Sequence, residues 1–124
     1  MSEIYGFEFK YTDFTTRTYN RYIILEKGNN TCCLQCFENG SVYSVDISNK
    51  VDELCDRLIK MNINSWNMKS FDGPMEFFPG FDWSLYIEAD DIFVSCNGMH
   101  NYPPNWEIFK SIMDEIGVSV FLLW

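Results

Sequence analysis

The sequence predicts an α+β domain, an antiparallel β-sheet of about five to seven strands with two helices packed on one face. Three observations carry this prediction. Several short segments alternate apolar with polar residues, Asn- and Gly-containing turns separate them, and two later stretches switch to a helical period.

The first segment, "EIYGFEFKY", sets Ile4, Gly6 and Glu8 against Tyr5, Phe7 and Phe9, the period of a strand. "YNRYIILEK" (19–27), "TCCLQCFE" (31–38) and "SVYSVDI" (41–47) follow as a meander. The intervening "GNN" and "NG" supply the positive-φ positions that tight hairpins need. Residues 48–62 change period: Val51, Leu54, Cys55, Leu58 and Ile59 fall on one stripe, opposite Asp52, Glu53, Asp56, Arg57 and Lys60. Ser48 or Asn49 is the expected N-cap. "WSLYIE" (83–88) and "IFVSCN" (92–97) form a second hairpin through Asp90 and Asp91. A second helix is expected after Pro103, with Pro104 in its first turn, Ile108, Phe109, Ile112 and Ile116 as its apolar stripe, and its end before Gly117. The tail "SVFLLW" (119–124) is apolar enough to be a last strand or an extended segment on the core.

A chain of 124 residues, 47% hydrophobic and 18% aromatic, is expected to form one domain, spanning 1–124, around one core. No apolar run reaches the roughly 18 residues of a membrane span. Glu3 and Glu8 interrupt the N-terminus where a signal peptide would carry basic and then apolar residues, so the expected compartment is the cytoplasm and no membrane partner is expected. Five cysteines, an odd number, fit reduced thiols used for packing rather than a disulfide framework. The net charge of −9 argues against direct binding of nucleic acid. That charge is uneven, because residues 1–60 carry seven bases against nine acids and residues 61–124 carry two against nine.

Cys33-x-x-Cys36, with Cys32 adjacent, has metal or redox spacing, but the run alternates like a strand, which puts Cys32, Leu34 and Cys36 on one face and Cys33 on the other. His100 is the only imidazole, in a loop with Asn97, Asn101 and Tyr102 ahead of a helix start, and these four residues are the candidate ligand loop. The chain has no nucleophile elbow, P-loop, dinucleotide fingerprint or zincin motif. Asp90 and Asp91 lack the spacing of a calcium loop. A non-catalytic protein without cofactor or metal is the resulting expectation.

The most distinctive stretch is "FDGPMEFFPGFDWSLYIEADD" (71–91), with five Phe and Trp residues, six acids and no Lys or Arg. On its strand, Trp83, Leu85, Ile87 and Ala89 alternate with Asp82, Ser84, Tyr86, Glu88 and Asp90, so charge and core separate onto two faces. Same-face residues recur about every 6.6 Å, close to the spacing of successive phosphates, roughly two 3.4 Å steps. The expected partner-binding residues are therefore Asp72, Glu76, Asp82, Glu88, Asp90 and Asp91 for charge, and Phe77, Phe78 and Tyr86 as anchors. Reversing Glu88, Asp90 and Asp91 to lysine is expected to abolish binding without disturbing the fold.

Trp66, Asp72–Gly73, the Trp83–Leu85–Ile87 strand, Ser95, Asn97–Gly98 and the Tyr102–Pro103 to Trp106 lead form a pattern over less than half the chain. In this pattern the chain resembles small uncharacterised proteins of bacteria and their phages. That resemblance implies a fold and no activity, and "PMEFFPGF" (74–81) is an insertion relative to it. In size and acidity the chain is also similar to phage inhibitors of host nucleases such as CRISPR effectors, and to immunity proteins that neutralise basic nuclease toxins. The leading expectation is an interaction protein that blocks a basic, nucleic-acid-binding groove of such an enzyme. An immunity protein is one alternative. A binder of a nucleotide signal is another, using the candidate ligand loop with Arg17, Arg21 or Arg57. The sequence selects neither a monomer nor a homo-oligomer.

Overall fold

The computed structural model describes residues 2–13, 19–73 and 80–118. Four strands come first: β1 (Ile4–Asp13), β2 (Tyr19–Gly28), β3 (Thr31–Glu38) and β4 (Ser41–Asp46). They are followed by helix α1 (Val51–Lys60), a 3-10 turn (Ile63–Trp66), strands β5 (Ser70–Asp72), β6 (Phe81–Ala89) and β7 (Ile92–Met99), and helix α2 (Trp106–Glu115). All seven strands form one sheet in the order β4-β3-β2-β1-β6-β7-β5. It is antiparallel throughout except for the short β5, which runs parallel to β7. The α+β prediction holds, with seven strands and two helices.

The meander β1–β4 forms where alternation and turn chemistry agree. Asn39 and Gly40, both at positive φ (44° and 93°), make the two-residue turn whose twist matches its flanking strands. Inward-facing Phe7, Phe9, Tyr11, Ile23, Leu34, Cys36, Leu85, Ile87 and Val94 meet Leu54, Cys55 and Leu58 of α1 and Trp106, Phe109, Ile112 and Met113 of α2 in one contiguous core. Both helices thus lie on the same face, and among the described residues no element covers the other, open side of the sheet.

Several local expectations are corrected. Ile4 does not share a face with Gly6 and Glu8. The β1–β6 register slips between Ile4 and Gly6, and the extra residue, Tyr5, turns Ile4 into the core beside Phe7. Helix α1 begins at Val51 with Lys50 as its cap, because Ser48 is engaged elsewhere, donating from its N–H to Asp46 and accepting from the Cys32 N–H. Ile59, expected in the apolar stripe, is 43% exposed. Helix α2 starts at Trp106, two residues beyond Pro104, after Asn105 in the left-handed region. The tail 119–124 lies outside the described residues.

The outer margin of β7 is closed in two ways. β5 pairs with it from Asn97 to Met99. Nearer its start, Asn64 Oδ1 accepts from the Phe93 N–H, Asn67 Oδ1 accepts from the Ser95 N–H, and the Met68 N–H donates to the Ser95 carbonyl. The 3-10 turn therefore docks on β7 through side-chain amides that stand in for a missing strand.

Candidate functional site

The open side of the sheet is built by the same alternation that fills the core. From β6 it receives Asp82, Ser84, Tyr86 and Glu88, from β7 Phe93, Ser95, Asn97 and Met99, and from β1 Glu8, Lys10 and Thr12. Tyr22, Ile24 and Glu26 of β2, Cys33, Gln35 and Phe37 of β3, Val42, Ser44 and Asp46 of β4, and Asp72 of β5 complete it. Six carboxylates (Glu8, Glu26, Asp46, Asp72, Asp82, Glu88) thus stand on one face, where Lys10 is the one cation among the described strand residues. Half of them come from the first 60 residues, so the acidity gathers by face rather than by half of the chain.

The expected acids do not form a single group. Asp82 and Asp72 flank Met99 at one end of β6, while Glu88, Asp90 and Asp91 stand at the other. Six residue steps along the strand separate Asp82 from Glu88, which is about 20 Å. Ser84 and Tyr86 lie between them, so no phosphate-like ladder of charge runs along the strand. The face is instead a charged field with its acids spread across strands. Among the described residues none of Asp72, Asp82, Glu88, Asp90 and Asp91 is in an ion pair. Glu8 does have one, with Lys10 at 3.6 Å.

Tyr86 lies flat against the sheet because residue 6 is glycine, where a Cβ would sit 2.7 Å from Tyr86 Cε2. Its hydroxyl donates to Glu88, and that bond raises the phenol above its usual range. The Phe93 ring, 50% exposed, stands edge-on to it at 6.1 Å. Glu76, Phe77 and Phe78 lie outside the described residues.

Asp90 is not a free surface charge. Its carboxylate accepts from the Tyr5 hydroxyl at 2.6 Å and the Glu3 N–H at 3.0 Å, clasping the N-terminal strand to the β6–β7 turn. Reversing it to lysine would therefore disturb the fold, and Asp90 does not belong in a test of binding alone. The Tyr5 hydrogen bond, followed by the Glu3 N–H, depresses the Asp90 carboxyl, and the same bond lifts Tyr5 from its ordinary 10.0 to about 12. The carboxyl contributes stability above the ordinary aspartate range and loses it as pH falls through the depressed value. The phenol contributes below its ordinary value and loses its share as pH rises towards about 12. Tyr5→Phe should therefore lower stability near neutrality, and the gap between the two proteins should close in acid. Denaturant midpoints measured across pH check this expectation.

The expected ligand loop is not one site. Asn97 lies on β7 and faces the open side, where its Oδ1 accepts from Ser70. Tyr102 lies over the core, stacked on Phe81 at 4.7 Å and on Trp106 at 5.0 Å, and burial pushes its phenol up. The Asn101 carbonyl accepts from Trp83 Nε1 at 2.7 Å. His100, at φ 62°, meets Phe81 edge-on. The arginines are engaged too. Arg21 is buried against Glu38 and Tyr43, Arg57 pairs with Glu115, and Arg17 lies outside the described residues.

Cys33 and Cys36 project to opposite sides of β3, with Cys32 and Cys36 in the core, as the alternation predicts. Burial pushes the Cys55 thiol to about 11 and that of Cys96 to about 12, far from thiolate chemistry. Among the described residues no group of three or more His, Cys, Asp or Glu side chains gathers closely enough to hold a metal ion, and no helix is long and apolar enough to cross a membrane.

No protein family, curated protein or solved structure matches the chain.

Proposed function

We propose that this protein is a non-catalytic interaction module whose open sheet face covers a basic, nucleic-acid-binding surface of a partner such as a nuclease or defence effector. One observation carries the reading: among the described strand residues, six carboxylates and a single lysine share one face of a seven-stranded sheet that both helices back from behind. Charge on a firm scaffold steers a cationic partner and accelerates its association. The exposed apolar rings of Phe93 and Phe37, on the same face as the acids, supply the short-range contacts that charge alone lacks. Neutralisation of a basic nuclease toxin uses the same face and is the same reading with a different partner. A nucleotide-binding role draws no support, because Asn97 and Tyr102 face opposite sides of the sheet.

The test uses Asp72→Lys, Asp82→Lys and Glu88→Lys together, three positions outside the clasp that holds the N-terminus. The variant should keep the unfolding midpoint of the wild type to within a small margin. Its association rate with the partner should fall on the order of ten- to a thousandfold at low salt. The wild-type chain should also exclude nucleic acid from the partner in stoichiometric proportion. A reversed variant that still binds at moderate salt, or a partner that holds chain and nucleic acid together, would refute the proposal.

A further inference from the structure

Each of three cations on the strands rests on the same pair of groups, a tyrosine ring and a carboxylate. Lys10 Nζ lies 5.6 Å from the Tyr22 ring centre and 3.6 Å from Glu8. Lys27 Nζ lies 5.6 Å from Tyr5 and 3.3 Å from Glu3. The Arg21 guanidinium lies 5.8 Å from Tyr43 and 2.8 Å from Glu38. This recurrence follows from the electrostatics, since a ring face and a carboxylate both present negative potential to a cation that is partly out of water.

A fourth assembly of this composition has no cation among the described residues. Phe93 and Tyr86 stand edge to face, Glu88 is the cross-strand neighbour of Phe93, and the Asp90–Asp91 turn closes the end. Phe93, Glu88 and the turn border a surface groove of about 390 Å³, walled by Asn64 and Asn67. The wall is fixed, because both amides are bonded to the β7 backbone. Phe93 is half exposed beside Glu88 and Asp91, neither of which is in an ion pair among the described residues.

We infer that this corner is a subsite for an arginine side chain of a basic protein partner, an inference that rests on the acidic-face reading above. A guanidinium is planar and weakly hydrated, so it can lie on the exposed Phe93 ring while forking to Glu88. A lysine ammonium would meet the carboxylates but gain less from the ring.

The experiment titrates the full chain with oligoarginine and oligolysine peptides of equal length. Wild type should bind oligoarginine roughly three- to fivefold more tightly, the fold-change that one exposed cation–π contact supplies. Phe93→Ala should bring oligoarginine down to the level of oligolysine and leave oligolysine unchanged. Phe93→Leu, which keeps apolar bulk without the ring, should do the same. Glu88→Gln should weaken both peptides. Equal affinities in the wild type, or a preference for arginine that survives in both Phe93 variants, would overturn the subsite while leaving the acidic face standing. Failure of both peptides to bind would overturn the acidic face, and the subsite with it.

Discussion

Trp106→Ala is expected to remove about 4 kcal/mol of stability, within the range for deleting a buried aromatic side chain. Trp106 is the hub of the core between α2 and the sheet. Its ring lies 5.0 Å from Tyr102, 5.2 Å from Phe109, 5.5 Å from Trp83, 5.9 Å from Trp66 and 6.1 Å from Phe9. Those rings belong to two strands, α2, the 3-10 turn and the loop before α2, so no single element can move to fill the space left behind. A cavity bounded by rigid rings collapses poorly, and the cost rises with the volume that remains. Equilibrium denaturation should show a lower midpoint with an unchanged slope. A loss below about 1 kcal/mol would mean that the cluster repacks, and that this account of the core is wrong.

Glu38→Ala is expected to cost about 3 kcal/mol, because it strips the carboxylate from a buried guanidinium. The Arg21 side chain is 0% exposed and that of Glu38 25%, with 2.8 Å between them, and Tyr43 Oη accepts from the other terminal nitrogen at 2.7 Å. The residual exposure of Glu38 places the estimate at the low end of the range for breaking such pairs. Replacing both partners by apolar residues, Arg21→Met with Glu38→Leu, should recover most of the loss, since no charge is then stranded. A single variant as stable as the wild type would make this a surface-like pair worth almost nothing.

The buried guanidinium shows how far the sequence could be read. Arg21 is in phase with Ile23 and Leu25, so the alternation of β2 already assigns it to the inner face. Its charge nonetheless suggested a ligand contact, because its partners lie 17 and 22 residues away. The meander β2–β4 was legible since period and turn residues agree there. The flip at Tyr5 was not, because a one-residue bulge leaves local composition unchanged and shows only in pairing with β6. β5 and the 3-10 turn, of three and four residues, are too short to display any period. Within the candidate site, the outward Asp82, Tyr86 and Glu88 were read correctly from alternation. Glu8, Glu26 and Asp46 were missed although the same rule assigns them, because acids were counted along the chain rather than by face. Phe93, which was not among the expected anchors, follows the same rule, since Ile92, Val94 and Cys96 point inward around it.

The amide seal along β7 bears on how copies of this chain can meet. With that flank sealed by Asn64, Asn67 and the three-residue β5, the six-residue β4 is the longer of the two margins of the described sheet. Two such margins joined about a two-fold axis would satisfy each other and leave only the three-residue β5 as a template for a third copy. Crowding should therefore drive pairing, not the open-ended growth of fibrils.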